Sequence, residues 1–431
     1  MKVLVVEPLG HMGGHYAAHT RYFVQALADA GAVVTLLTFD GLLGEPLHWK
    51  AQVKPVSFLS QSGTFYPVWR SLSCHLPRSL SSIVATVCAF RLAGQQDRKN
   101  KSDVIHVLDA AMPDYAFPWF ASRVNGRCLA FTLFLDSREV ALKNWHARFR
   151  DSFTKREISG SFTLCFSSLL GTRPGTALKR FLYERAARRN RMAFVSYTKA
   201  VRESYTGSPY YDKIVPMARG VAIPEQAGFE PLEARQVLGL PQNGAVFLHF
   251  GSNHPDKNLE VIFQAAKDFP GPYTLLFAGK VDSVSKANDP LALAKKYGLE
   301  HNSVIANRYI PEDEMPHYFH AADAMILSHR RDFGRASGVL ATTAQFGLPV
   351  VASDVGEIGD AVKNYGLGLT FEAENPESLR ATISAFASLG EEERREMKKN
   401  LSRFAQDHSW QEVAQRHLEL YEGLSLQCLG V

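Results

Sequence analysis

The chain has 431 residues, of which 46% are hydrophobic and 21% charged, a length that predicts two or three globular domains. Its net charge of +5 is a mild excess, so we expect no nucleic-acid partner. The five cysteines are scattered and lack a CxxC spacing, which argues against a zinc site or a disulfide framework and indicates a reduced, cytosolic compartment. The first residues, MKVLVVEPLG, are typical of a strand rather than a signal peptide, and no apolar run is long enough to span a membrane.

The N-terminal residues predict a doubly wound α/β unit. Residues 3–6 form an apolar strand, a loop with Gly13 and Gly14 follows, and a helix ends at Gly31 before a second strand over 33–38. The paired glycines allow a close backbone approach to a ligand, although a plain tight turn is the alternative. The loop is not GxGxxG and lacks an acidic residue placed for a ribose, which argues against a nicotinamide enzyme.

Acidic side chains follow two further strands of this half. Asp109 ends the strand 103–109, and Asp136 follows the strand 129–135. Ligands of doubly wound folds bind at the carboxyl ends of strands, so both are candidate site residues. His106 stands in an apolar run, which favours a core histidine over a catalytic base.

A basic band covers residues 138–202, with fifteen Lys and Arg against four Asp and Glu. It fits either an anionic membrane surface or a solvated helical face. The run 80–92 fits either an amphipathic helix on a bilayer or ordinary core packing, with core packing the more frequent case.

The second half repeats the α/β pattern after a linker near residue 220. The predicted strands and helices follow in chain order: strand 245–250, loop 251–258, helix 259–269, strand 273–278, short strand 304–305, helix from 311 with acidic residues in its first turn, strand 324–327, strand 350–351, helix 377–389 and a charged helical tail to about 424. Two similar α/β halves are therefore expected.

The segment GRASGVLATTAQFGLPVVAS, residues 334–353, predicts an anion site. A helix that begins at Ser337-Gly338 has small residues at its first turn, so its unpaired backbone N–H groups and the helix dipole favour a phosphate. Arg335 adds a candidate forked contact. An ordinary α/β crossover is the alternative.

Several segments in order carry a family resemblance: MGGHYAAHTRYFVQALADAGAVVTLLT, PMARGV, GSNHPDKNLEVIFQAA, LLFAGK, YIPEDEMPHYFHAADAMILSH and GVLATTAQFGLPVVASDVGEIGD. Together they resemble the retaining glycosyltransferases of family 4, the group 1 glycosyltransferases. The resemblance implies the α/β GT-B fold, two Rossmann-like domains facing across a cleft. It also implies an acceptor-binding domain over 1–218, a nucleotide-sugar-binding domain over 219–405 and a C-terminal helix, 406–431, that packs back towards the first domain.

The resemblance further implies a function. The enzyme would move a hexosyl-type sugar from a nucleotide-diphosphate sugar to a glycan or lipid-linked acceptor, without a metal or other cofactor, in the cytoplasm or at the inner face of the membrane. The residues implied as catalytic are Asp109 and Lys257. The residues implied for donor binding are Gly13, Gly14, Ser252, Lys257, Arg335, Ser337, Gly338 and Val339. Retention is attributed in such enzymes to front-side attack with the departing phosphate as base.

Four positions depart from the family pattern. The two family glutamates correspond to Gly334 and Thr342, and the arginine partner of Lys257 corresponds to Ser252. Many family members have a second histidine after the DVIH-type strand, where this chain has Leu108. Nearby charged residues, Arg330, Arg331, Arg335 and Asp332, are candidates to compensate. The departures motivate an alternative, a sugar-nucleotide-binding or scaffold protein that has lost turnover. A GT-B-like epimerase fits PMARGV and the closing helix less well.

Overall fold

The computed structural model describes most of the chain's second half and the central elements of its first half. The described residues are 1–7, 15–38, 53–57, 93–98, 101–108, 128–133, 184–186, 188, 190–204, 206–207, 211–223, 229–281, 288–334 and 336–426. The chain divides into two compact units. The first unit is Met1–Ala218 with Trp410–Val431, and the second is Arg219–Ser409.

Each unit is built on one parallel sheet. The strands are β1 Lys2–Val6, β2 Val33–Thr38, β3 Val53–Ser57, β4 Val104–Val107, β5 Cys128–Leu133, β6 Arg191–Ser196, β7 Ile214–Pro216, β8 Ala245–Phe250, β9 Tyr273–Ala278, β10 Ser303–Ala306, β11 Ala324–Leu327, β12 Val350–Ser353 and β13 Gly368–Phe371. The helices are α1 His15–Asp29, α2 Lys199–Ser204, α3 Pro231–Val237, α4 Leu259–Ala266, α5 Pro290–Tyr297, α6 Met315–Ala321, α7 Gly338–Gln345, α8 Gly356–Tyr365, α9 Pro376–Ala387, α10 Glu391–Asp407 and α11 Trp410–Leu426.

The first unit has the strand order β3-β2-β1-β4-β5-β6-β7. Its strands β1, β2, β4, β5 and β6 are mainly apolar runs buried on both faces, as a parallel sheet covered by helices requires. The C-terminal helix α11 packs on α1, where Trp410 stacks on Tyr22 and His417 meets the ring of Phe23 edge-on at 4.8 Å. His106 is fully buried and bonded through both ring nitrogens, to Tyr421 and Thr132, which confirms its interpretation as a core histidine.

The second unit has the strand order β10-β9-β8-β11-β12-β13. Alternate residues of β8 enter two core clusters on opposite faces of the sheet, with Leu248 in one and Phe247 in the other. Consecutive strands diverge at β8, which pairs with β9 on one side and β11 on the other. This divergence is the topological switch point of the sheet.

Two features of the second half differ from the sequence-based prediction. The helix expected from residue 311 begins at Met315, because Pro316 lacks an N–H and is tolerated only in the first turn; the acidic residues precede the helix in a turn. The charged tail is two helices, α10 and α11, which end and begin on either side of His408 and Ser409. The predicted strands 245–250 and 273–278 are confirmed residue for residue.

Candidate functional site

The candidate site lies at the switch point of the second sheet. Two loops leave the carboxyl end of the sheet there. We call residues 251–258, which follow β8, the β8 loop, and residues 328–334, which follow β11, the β11 loop. Ligands of open α/β sheets bind in the crevice outside a switch point, where neighbouring loops diverge. The β11 loop leads into α7, so a helix N-terminus faces the same region.

The β8 loop is held against β9 through its first residue. Gly251 has a positive φ of 87° and donates its N–H to Ala278 O at 2.8 Å. The backbone of Gly279 lies so close that a Cβ there would approach Gly251 O to 2.2 Å. The loop therefore begins from a rigid backbone contact that only glycine at position 279 allows.

Hydrogen bonds also join the β8 loop to the β11 loop. Arg330 donates its N–H to Asp256 O at 2.8 Å and its Nε to Pro255 O at 3.0 Å. Ser328 Oγ donates to Lys257 O at 2.6 Å. These bonds hold the backbone of Lys257 in place, so the side chain starts from a well-supported position.

Lys257 is the cation of this site. Its Nζ donates to Phe250 O at 2.8 Å. Burial lowers the pKa of the Lys257 ammonium from 10.5 to about 8, while the neighbouring Asp256 carboxylate acts in the opposite direction. The group is therefore mainly charged at neutral pH, and an ammonium has three donors with which to hold a phosphate.

The structure brings Lys257 next to the start of α7. A Cβ placed on Gly251 would lie 3.1 Å from Lys257 Nζ and 3.4 Å from Val339 Cγ2. Val339 is the second residue of α7, so the ammonium and the first helical turn border the same small space. A side chain at position 251 would fill that space.

The first turn of α7 is built to receive an anion. Ser337 is the N-cap, and its Oγ accepts a hydrogen bond from Leu340 N at 3.2 Å. In an α-helix the amides of the first residues, here Gly338 and Val339, have no acceptor within the helix. Together with the positive end of the helix dipole, these amides favour negative charge beside Lys257.

Arg219 lies against this turn and was missed by the sequence analysis. A Cβ on Gly338 would lie 3.2 Å from Arg219 Nη2 and 3.3 Å from its Cζ. Val221, two residues later, donates its N–H to His408 O at 2.8 Å and forms a parallel bridge with Ser409. The segment PMARGV was interpreted as a linker. The arginine next to its glycine was the sequence feature that could have indicated a site residue there.

A buried histidine lies beneath the β8 loop. His249 Nδ1 is 3.3 Å from Ile326 O, and Nε2 has no partner among the described residues. Burial, then the charge of Lys257, holds the pKa of His249 well below its ordinary value. This histidine is consequently neutral, and the positive charge beside α7 comes from Lys257 and Arg219.

The family comparison concerns the unit that contains this site. Residues 232–404 match the family described as "Glycosyl transferases group 1". Most of the second unit is therefore similar to this family. The match lies wholly within that unit and includes β8, its loop and α7.

Curated relatives resemble the chain over part of its length. The D-inositol 3-phosphate glycosyltransferase of Acidothermus cellulolyticus is 30% identical over 200 residues, 43% of this chain and 42% of the relative. The protein of the same name from Rhodococcus erythropolis is 27% identical over 235 residues, 52% of this chain and 51% of the relative. The chain thus spans about half the length of the curated relatives that it matches.

Solved structures resemble the chain over nearly all of its length. A glycosyltransferase from Rickettsia africae has a TM-score of 0.65 at 16% identity and covers 98% of both chains. Anabaena Alr3699/HepE in complex with UDP and glucose has a TM-score of 0.66 at 16% identity, with 98% of this chain and 100% of that chain covered. At these identities the likeness establishes the fold, and it confirms the predicted α/β GT-B class of two Rossmann-like domains.

The structure describes only some of the predicted site residues. Ser252 is exposed in the β8 loop, where its carbonyl accepts from His254 N at 3.0 Å. The other predicted residues, Gly13, Gly14, Asp109, Asp136 and Arg335, lie outside the described residues, as do the run 80–92 and most of the basic band.

Two of the four charged residues proposed to compensate for the family glutamates form ion pairs with other side chains. Arg331 pairs with Glu372 at 3.2 Å, and Arg330 pairs with Glu374 at 3.5 Å besides its bonds to the β8 loop. Thr342 Oγ1 donates to Gly338 O at 3.0 Å within α7. Neither Gly334 nor Thr342 has a carboxylate.

The described residues contain neither a candidate metal cluster nor a helix that could span a membrane. Among these residues, no group of three or more His, Cys, Asp and Glu side chains is placed to hold a metal ion. None of the helices in the same ranges is long and apolar enough to cross a bilayer.

Proposed function

We propose that the protein is a retaining glycosyltransferase that moves a hexosyl-type sugar from a nucleotide-diphosphate sugar to a glycan or lipid-linked acceptor. The observation that carries the proposal is the convergence of Lys257 Nζ and the first turn of α7 on the space beside Gly251, at the switch point. The match of this domain to group 1 glycosyl transferases supports the reaction class. The UDP and glucose bound by Anabaena Alr3699/HepE support a nucleotide-sugar donor.

The proposed chemistry places the donor's diphosphate between Lys257 and α7. Negative charge grows on the phosphate oxygen as its bond to the anomeric carbon breaks, and the ammonium and the helix amides stabilise that charge. The departing phosphate then takes the proton of the attacking acceptor hydroxyl on the same face of the sugar, which retains the configuration. Side-chain and helix charges would do here what a metal ion does elsewhere, so we propose a metal-independent reaction.

A second candidate function is sugar-nucleotide binding without turnover. Gly334 and Thr342 are the observation that favours it, because neither offers a carboxylate at the positions where the resembled family has glutamates. The phosphate site described above would serve both functions, so binding alone does not distinguish them. Release of nucleotide from the donor in the presence of candidate acceptors distinguishes the two.

The first test is binding of UDP by isothermal titration calorimetry, for the native protein and for Lys257→Ala. A charge-assisted hydrogen bond contributes roughly 1.5–3 kcal/mol, so the variant should bind roughly 10- to 150-fold more weakly. Lys399→Ala is the control, because that lysine is exposed on α10 and pairs with Glu396 of the same helix at 3.5 Å. Undiminished affinity in a folded Lys257→Ala protein would remove the diphosphate from this site.

The second test identifies the donor and the acceptor surface. A thermal-shift screen of nucleotide sugars selects the donor, because a ligand of the native state alone raises the melting temperature. Contact with an anionic cytoplasmic membrane face remains a proposal from the basic band. Liposomes with anionic lipid should sediment the protein in low salt and release it in high salt, and a lack of salt-sensitive pelleting would contradict that contact.

A further inference from the structure

The guanidinium of Arg219 lies flat against the first residue of α7. From the position of a Cβ on Gly338, the distances to Arg219 Nη2, Cζ and Nε are 3.2, 3.3 and 3.6 Å. Three atoms of one planar group are therefore nearly equidistant from a single point on the helix. Glycine at position 338 leaves the room that this arrangement needs.

The position of Arg219 is set by the backbone rather than by a free loop. Val221 is bonded to His408 and bridged to Ser409, immediately after α10. Arg219 is half-buried, two residues before this anchor. A side chain held in this way loses little conformational entropy when it contacts a ligand, which favours a binding role.

The placement of Arg219 puts a cation beside a helix N-terminus. The N-terminus of a helix carries about half a positive charge, so it disfavours a cation and favours an anion. A second cation, Lys257, borders the next residue of the same turn, Val339. Two cationic side chains thus lie beside neighbouring residues of one helix N-terminus, an arrangement that suits an anion.

We infer that Arg219 is a donor-binding residue that holds the diphosphate of the nucleotide sugar across the start of α7, opposite Lys257. The inference rests on the proposed function and adds a specific contact to it. The forked N–H groups of Arg219 bind two oxygens of the diphosphate, a geometry that a lysine cannot reproduce. Gly338 is the positioning residue, because its missing side chain lets the guanidinium lie against the helix.

The test compares Arg219→Ala, Arg219→Lys and Gly338→Ala by calorimetry with UDP, UMP and uridine. Arg219→Ala should weaken UDP binding roughly 10- to 150-fold, as expected for a charge-assisted contact, and leave uridine binding unchanged. Arg219→Lys should recover part of the loss, because it keeps the charge and loses the fork.

Gly338→Ala tests the same contact without a change of charge. Alanine suits a helix better than glycine, so the variant should be at least as stable in thermal unfolding, and a binding loss is not explained by misfolding. Its methyl group displaces the guanidinium by a few tenths of an ångström, so we expect a smaller loss of UDP affinity, about three- to tenfold. In an Arg219→Ala background, Gly338→Ala should change UDP binding no further, because no guanidinium remains to be displaced.

The outcomes separate this inference from the proposed function. If Lys257→Ala weakens UDP binding and Arg219→Ala does not, the role of Arg219 is overturned while the proposed site stands. An equal loss for UDP and uridine in Arg219→Ala would show a structural role and also overturn the inference. If both single variants bind UDP as the native protein does, the proposed donor site itself is wrong.

Discussion

The lowered pKa of Lys257 predicts that donor binding depends on pH above neutrality. The ammonium titrates at about 8 because it is buried beside Phe250 O, whereas an ordinary lysine titrates at 10.5. Below pH 8 the side chain is a cation and attracts the diphosphate. Above pH 8 it becomes a neutral amine, and binding must first recover the proton.

The magnitude follows from the fraction of charged Lys257. With a pKa of about 8 the group is about 90% protonated at pH 7 and about 10% protonated at pH 9. The apparent Kd for UDP should therefore rise about tenfold between these values, or about 1.4 kcal/mol. The phosphates of UDP are already ionised over most of this range, so their own titration contributes little.

Calorimetry at pH 7, 8 and 9 in two buffers of different ionisation enthalpy measures both the change in Kd for UDP and the protons taken up on binding. At pH 9 we expect uptake of nearly one proton for each UDP bound, which appears as a buffer-dependent heat. Lys257→Arg is the matched control, because a guanidinium stays charged throughout and should abolish the slope. A flat affinity from pH 7 to 9 in the native protein, or an unchanged slope in Lys257→Arg, would refute the reasoning.

Two further predictions concern stability. Gly279→Ala should destabilise the second unit by about 2–4 kcal/mol in urea unfolding, because its Cβ would meet the backbone oxygen of Gly251 at 2.2 Å and its φ is +150°. Gly423→Ala, in α11 with open space around the added carbon, is the control and should be neutral or stabilising by up to about 1 kcal/mol; equal behaviour of the two variants would contradict the clash. Acid should destabilise the first unit, because burial lowers the pKa of His417 to about 4 and that of His106 well below 6.5. Because the pKa of each histidine is lower in the folded state than in the unfolded state, its contribution to the free energy of unfolding is fully present above about pH 6.5 and is lost as pH falls. For His417 the loss amounts to about 3 kcal/mol at pH 4. Denaturant unfolding at pH 7 and pH 5 measures the loss, and a stability that does not fall over that range would contradict it.

Local sequence patterns were sufficient for the strands that frame the site. The apolar runs 245–250 and 324–327 predicted β8 and β11, and loops at the carboxyl ends of neighbouring parallel strands must lie together. Lys257 and Ser337 could therefore be placed at one edge of a sheet from sequence alone. The orientation of these two residues relative to each other could not be predicted from the sequence, because it depends on hydrogen bonds between the two loops.

The contacts that sequence reasoning missed join distant parts of the chain. Arg219 reaches α7 because residue 221 pairs with residues 408 and 409, a contact that no local periodicity reveals. The same pairing interrupts the charged helical pattern that predicted one tail instead of α10 and α11. The late start of α6 was readable from Pro316, whose missing N–H confines it to a first turn.

The pairing of Val221 with His408 and Ser409 also brings the two ends of the second unit together. Residues 219–409 begin and finish side by side, at a parallel bridge. A polypeptide segment whose termini adjoin can be cut out, or re-joined in a different order, with little strain on its interior. The second unit is accordingly suited to transplantation into another protein as a single segment.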